Sequence, residues 1–506
     1  LTKPFLGILV HPWDLTDEGV AGVAENLASL GISSAFIAVN ASAEEHPPQP
    51  IDARLTHNPK RKRYVSEEGR FYYQVDPSFY VNSVVAPKRS ADQDLMGFDA
   101  LRESLDILGK REIHSYAWLT SLHNGQFVSE GHELATIDIT GRPDRNWMCP
   151  HNPNVTILLM EMLNELQTRY DLQGILLDHF WWKYPHTHMS ALEPGIVCFC
   201  EHCRQRMDSA GIEARKLVRT LAQIPRVVRR LSKAKIDQIG RAKTEGLLST
   251  VGLRPGEGAG YADVMNALFE DGKAREKLPD LAEQDPLGIF GWLRDNPVFF
   301  EWLDLKADGL HELLRAIREL TKANNPRFQV GLAMWSPRSS WTVCQSYRRL
   351  RDACDWMMPM AYHRLWGWYS ACVAEEIFQI VHPRTPLKFA SYKGILAAWF
   401  KLAGYTARPL RSLIYNGLPA DQIRKELLRA RSLAGPDIPL YAGLQFWEPA
   451  SKVPHPEESA ESTRISLDSG MDGMIMQAYG WAPIPNMMAA AEVVEEFSRT
   501  QPLPAA

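Results

Sequence analysis

Eight short apolar runs, each with a polar or aromatic residue at or next to its end, constrain this 506-residue chain more than any other feature. They read FLGILVH (Phe5–His11), SAFIAVN (Ser34–Asn40), IHSYAWL (Ile113–Leu119) and GILLDHF (Gly174–Phe180) in the first half. FQVGLAMW (Phe328–Trp335), DWMMPMAY (Asp355–Tyr362), LYAGLQFWE (Leu440–Glu448) and DGMIMQAYG (Asp472–Gly480) follow. Short, nearly unbroken hydrophobicity is what a strand needs when both of its faces are covered. Between these runs lie stretches with helical spacing, among them Val20–Leu30, Asn154–Tyr170, Leu305–Thr321 and Ala420–Leu433. Strand and helix in alternation predict a parallel sheet, and eight repeats predict a closed (β/α)8 barrel of the TIM type. An open, doubly wound sheet could use the same eight strands, and LKFASYKG (Leu387–Gly394) is a ninth candidate. The strand ends favour the barrel. His11, Asn40, Trp118, Asp178, Trp335, Tyr362, Glu448 and Tyr479 all sit at or near such ends, and only a barrel gathers so many ends into one mouth.

The expected organisation is a single barrel domain over residues 1–498, with long insertions after strand two (41–111) and strand four (212–304). A flexible tail is expected over 499–506. In the first insertion, alternation in RFYYQV predicts a hairpin, and a helix is expected near Gly97–Leu108. The second opens on RVVRRLSKAKIDQIGR (Arg226–Arg241). Its Val227, Leu231, Ile236 and Ile239 recur at helical spacing, which predicts an amphipathic surface helix rather than a nucleic-acid arm. The Gly-, Pro- and acid-rich stretch Gly252–Gly291 reads as a long loop over the barrel.

Charge and composition narrow the partners. A formal charge of −4 argues against a polyanion, so no nucleic acid is expected. No run of 18 apolar residues is present, so no membrane span is expected. LTKPFLGILVHP lacks the pattern of a secretion signal. Seven cysteines, three of them within six residues, look like a ligand set rather than a disulfide framework. The expected compartment is therefore a reducing, cytoplasmic one.

Asp178 carries the chemistry. Four apolar or glycine residues lead into it, and His179, Phe180, Trp181 and Trp182 follow. A carboxylate at the end of a buried strand must be partnered or functional, because burying it alone is costly. Glu448 ends the seventh run and faces the same mouth. Two carboxylates across an aromatic-walled cleft suit glycosidic bond cleavage, in which one protonates the leaving oxygen and the other attacks or activates water. Sugar-binding walls are expected from Trp118, Trp181, Trp335, Tyr362, Trp447 and Tyr479, with His11, Asn40, His179 and His363 as hydroxyl partners. No dinucleotide or phosphate loop precedes a suitable helix, so no organic cofactor is expected.

GILLDHFWWKYP resembles the barrel segment of bacterial glycoside hydrolases, and MCPHNPNV, MPMAYH, LYAGLQFWEP and GMDGMIMQAYG are similar to their strand-end phrases. The resemblance runs over most of Phe5–Gly480 and is least visible in 212–304. It implies an oligosaccharide or glycoside substrate. It also implies an acid/base after strand four and a nucleophile after strand seven. Asp178 stands where the large retaining clan usually has Glu, and other glycosidase barrels use an Asp there as nucleophile, so the roles of the pair can be reversed. A second resemblance lies in CFCEHC (Cys198–Cys203), which is similar to the cysteine triplet of zinc-bearing beta-galactosidases, with Cys149 in the place of the earlier cysteine. It implies one structural Zn2+ held by Cys149, Cys198, Cys200 and Cys203. Physically, four thiolates would close the shell and leave no open position. Two other readings stay open: a carbohydrate-binding barrel without hydrolytic chemistry, and a metallohydrolase built on strand-end histidines.

Overall fold

The computed structural model describes residues 4–41, 69–138, 141–183, 198–229, 294–365, 412–413, 416–446 and 454–500. All eight runs form strands: β1 Phe5–Val10, β2 Ser34–Ala38, β3 His114–Thr120 and β4 Gly174–Asp178. β5 Gln329–Met334, β6 Trp356–Pro359, β7 Tyr441–Gln445 and β8 Gly473–Gln477 complete the set. The sheet runs β6-β5-β4-β3-β2-β1-β8-β7, and every adjacent pair is parallel. Its two edges meet. Met357 pairs with Leu440 and Met360 with Gly443. The Met357 N–H donates to the Pro439 carbonyl and the Ala361 N–H to that of Gly443, each at 3.0 Å. A nearly closed eight-stranded parallel barrel results, as the repeat count demands.

The helices include α1 Pro12–Glu18, α2 Val20–Ser29, α3 Ala100–Gly109, α4 Pro153–Arg169, α5 Glu201–Ser209, α6 Val298–Asn324, α7 Ala420–Ala434, α8 Pro456–Asp468 and α9 Ile484–Thr500, and α2, α3, α4, α6 and α7 cover the stretches expected to be helical. Their starts are chemically marked. The Asp99 carboxylate accepts the Arg102 N–H at α3, and the Asn152 side chain accepts the Asn154 N–H ahead of Pro153 at α4. The Leu387–Gly394 candidate strand, most of the basic stretch 226–241 and the loop 252–291 lie outside the described residues. No helix among the described residues is long and apolar enough to cross a membrane.

RFYYQV departs from the expected hairpin. Phe71 makes only isolated bridges, to Asn40 and Arg89. Phe71, Tyr72 and Tyr73 are all buried, so the segment has no alternating wet face. The hydroxyls of Tyr73 and Tyr80 donate to the buried Glu165 of α4, which also accepts the Asp76 N–H and the Arg169 guanidinium. Hydrogen bonds to one buried carboxylate thus hold this segment where a ladder was expected.

The N-terminal end of the barrel is plugged by rings. Trp356 of β6 meets Phe36 of β2, Tyr116 of β3 and Tyr441 of β7 at centroid distances of 5.6, 6.2 and 5.4 Å. Contacts between non-neighbouring strands require these rings to lie inside. Gly331 on β5 makes room, because a Cβ there would collide with the Trp356 indole. Gly331→Ala is predicted to destabilise the fold by roughly 1–3 kcal/mol through overpacking. Urea unfolding checks this, and an unchanged midpoint would contradict the interior placement of Trp356.

Candidate active site and metal centre

The C-terminal ends of the strands carry a continuous chain of polar and aromatic groups. Asp178, the last residue of β4, is 7% exposed. Its Oδ2 accepts the Trp118 indole N–H from β3 at 3.0 Å, and its Oδ1 accepts the His179 backbone N–H at 2.7 Å. The His179 Nδ1 lies 3.5 Å from the same Oδ1. No arginine or lysine among the described residues pairs with this carboxylate, so only N–H dipoles and a histidine offset its desolvation. Both oxygens still have lone-pair capacity for a further partner. The Asp178 carbonyl is fixed as well, accepting the Ser121 N–H at 2.8 Å.

His179 adopts φ +49°, the left-handed region, which is uncommon for a residue with a Cβ. Beyond that turn Trp181 stacks on His179, while Trp182 packs against His151 and Lys306. The His179 ring lies 4.8 Å from Trp181, 5.4 Å from His123 and 6.1 Å from Trp147. Trp181 meets Trp335, at the end of β5, edge-on at 5.5 Å. On the other side His11, at the end of β1, stacks on Trp13 at 4.4 Å and faces Trp118 at 5.0 Å and Trp481 at 5.4 Å. The His11 N–H donates to Asp14, which is fully buried at the start of α1.

Of the residues singled out in the sequence, His11, Trp118, Asp178, His179, Trp181 and Trp335 are thus brought together. Tyr362 and His363 follow β6, with Tyr362 buried near Gly443 of β7 and His363 half-buried. Two others have polar atoms engaged in the scaffold. The Asn40 amide spans from β2 to β3, donating to the Thr120 carbonyl and accepting the Thr120 N–H, each at 2.9 Å. The Tyr479 hydroxyl accepts from Asn26 and donates to Glu18, both at 2.7 Å. Trp447 and Glu448 lie outside the described residues. Trp13, His123, Trp147 and Trp481 join the cluster without having been singled out. Their signals were faint: a Trp two residues past His11, a His shortly past β3, a Trp two before Cys149, and a Trp just past AYG.

Below this cluster, the four predicted metal ligands converge. The sulfurs of Cys149, Cys198, Cys200 and Cys203 lie within 4.8 Å of one another. Cys149 Sγ is 3.6 Å from Cys200 Sγ and 3.5 Å from Cys203 Sγ. A disulfide would need about 2.05 Å. Tetrahedral thiolates at about 2.3 Å from zinc stand about 3.8 Å apart, close to the observed spacing. Cys149 ends a short antiparallel ribbon (Ala135–Ile137 with Pro143–Met148), while Cys198, Cys200 and Cys203 surround the start of α5. Cys198 Sγ accepts the N–H groups of Ile137 at 3.0 Å and Cys200 at 3.4 Å. Thiol hydrogen bonds from Cys149, Cys198 and Cys203 pull Cys200 down, whereas burial pushes Cys149 up. Ionising four thiols this close together needs a counter-charge, which a divalent cation would supply. The set fits a closed structural site with no water position. Cys344 and Cys354 are buried and free, as core cysteines should be. Among the described residues this is the one group of three or more metal-ligating side chains, so strand-end histidines form no second site there.

No family model and no curated protein matches this chain. Among solved structures, the chain is similar to an alpha-L-fucosidase isoenzyme 2 from Paenibacillus thiaminolyticus (11% identity, 98% of this chain and 49% of that chain, TM-score 0.46). It is also similar to beta-galactosidases from Halorubrum lacusprofundi (13% identity, 98% and 58%, TM-score 0.49) and Rahnella sp. R3 (13% identity, 99% and 56%, TM-score 0.48). The chain spans 49–58% of the length of those three.

The cysteine geometry predicts a single zinc per chain in reduced protein. Elemental analysis checks it, and less than about a tenth of an equivalent would contradict a structural site that closes its own shell. Cys200→Ala is predicted to lower thermal stability more than intrinsic activity, since a closed shell has no water to activate.

Proposed function

We propose that this protein hydrolyses O-glycosidic bonds of an oligosaccharide or glycoside at the C-terminal mouth of its barrel, using Asp178 and Glu448. The observation that carries this reading is Asp178 itself. It is a buried carboxylate at a strand end, without an arginine or lysine partner among the described residues, and its side-chain neighbours are the Trp118 and His179 rings. Two other buried carboxylates are more fully saturated: Glu165 is neutralised by Arg169, and Asp99 takes donors from Gln74, Arg102 and Tyr170, where Asp178 takes two N–H donors.

The chemistry asks for two roles. One group protonates the glycosidic oxygen as its bond to the anomeric carbon breaks. The other attacks that carbon or takes a proton from the attacking water, and the developing oxocarbenium charge is stabilised by the carboxylate facing it. We assign Asp178 as the acid and Glu448 as the nucleophile or base, following their strands. The Trp118 indole N–H and the His179 backbone N–H hold the Asp178 carboxylate, and Ser121 holds its backbone carbonyl. Trp181, Trp335 and Trp447 would offer faces to the apolar sides of sugar rings. A metal held by Cys149, Cys198, Cys200 and Cys203 would supply no chemistry to this step, because four thiolates leave no open position.

Asp178→Asn and Glu448→Gln are each predicted to keep the fold and sugar binding while lowering kcat by roughly 10²–10⁴. If Asp178 is the acid, its Asn variant loses far more rate on poor leaving groups than on activated aryl glycosides. If Asp178 is the nucleophile, both substrates suffer alike and Glu448→Gln carries the leaving-group dependence. Parental rates from both variants on a cleaved glycoside would overturn the proposal.

A further inference from the structure

Four thiolates around one divalent cation leave a net charge of about −2, and a centre of this kind buried in protein needs compensation. The structure has two groups in place for it that are not metal ligands. His151, two residues past Cys149, is 5% exposed, and its Nδ1 lies 3.3 Å from Cys203 Sγ. A metal-bound thiolate has no proton to give, so Nδ1–H must donate to it. Gly309 of α6 makes this pose available, because a Cβ there would collide with the far edge of the imidazole. Lys306, one turn earlier on α6, is 2% exposed. Its ammonium lies 4.2 Å from the Trp302 ring centroid and 4.6 Å from that of Trp182, a cation held between two faces. Phe199, between ligands Cys198 and Cys200, stacks on Trp302 at 6.3 Å.

Trp182 is the shared element. Its indole N–H donates to the Lys306 carbonyl at 2.9 Å, its ring meets His151 at 4.9 Å, and its backbone N–H donates to Val343 at 3.1 Å. It is also four residues beyond Asp178. We propose that His151 and Lys306 form a positively biased outer layer that allows the four-thiolate metal centre to be buried and ties it, through Trp182, to the end of β4 that carries Asp178. This rests on the metal reading above. His151 and Lys306 are positioning residues; neither touches a substrate.

The test uses full-length, reduced, zinc-loaded protein and a chelator of graded concentration, with released zinc as the readout. His151→Phe, Lys306→Met and Gly309→Ala should each raise the zinc dissociation constant roughly 10–100-fold, the range for lost outer-layer partners. Gly309→Ala is the internal control for folding, since alanine is the better helix former and any loss must come through the displaced imidazole. Hydrogen exchange provides the second readout. Zinc withdrawal from the parent protein should speed exchange over Gly174–Lys183 and leave Phe5–Val10 unchanged. Parent protein that takes up no zinc overturns the metal centre and the inference with it. Parent protein that holds zinc while all three variants hold it equally tightly overturns the outer layer alone. Unchanged exchange at Gly174–Lys183 on zinc withdrawal overturns the link to Asp178.

Discussion

Closure of the sheet between β6 and β7 is the constraint on which the rest depends. The runs Trp356–Pro359 and Tyr441–Gln445 are separated by about eighty residues of chain, yet Met357 and Ala361 donate backbone hydrogen bonds across the seam. Without that seam, both outer strands would present bare edges, and the strand ends would form a ridge. With it, they form a ring. Residues far apart in sequence, from His11 to Trp335 and Trp481, then share one mouth, while the opposite end is sealed by Phe36, Tyr116, Trp356 and Tyr441.

Within the mouth, Asp178 is held by short, directed N–H contacts, with no arginine or lysine paired to it among the described residues. Asp178 receives two N–H donors, and His179, in the left-handed region, stacks its ring on Trp181. A carboxylate held this way keeps a defined orientation while retaining lone pairs for a substrate, a favourable arrangement for proton transfer at a fixed atom. Glu165 shows the contrasting design. It is saturated by Tyr73, Tyr80, Asp76 and Arg169, and it fastens the segment after β2 to α4.

The strands were legible because unbroken apolar runs leave few alternatives, and every strand starts within one residue and ends within three residues of its run. The cysteine set was legible because three thiols in six residues are rare by chance, and an earlier fourth completes a tetrahedron. RFYYQV misled for a physical reason: alternation was read from residue types, but all three aromatics found buried partners. Asn40 and Tyr479 sit at strand ends as expected, yet their polar atoms are engaged by Thr120 and by Asn26 and Glu18, and no pattern in one sequence reveals a bond between such distant positions. Lys306 was hidden most thoroughly. A charged residue in a helix reads as a wet face, and only Trp302, one turn before it, hints that the ammonium has an aromatic seat.

The central claim is that closing the barrel sets two carboxylates against each other across one aromatic-lined mouth. The distance between the Asp178 and Glu448 carboxyl groups in a crystal structure of the protein tests it most directly. A separation near ~5 Å would fit a retaining pair and ~6.5–9.5 Å an inverting one, and either supports the account. Carboxyl groups more than about 12 Å apart, beyond the reach of one glycosidic bond, or a Glu448 side chain outside the mouth, would contradict it.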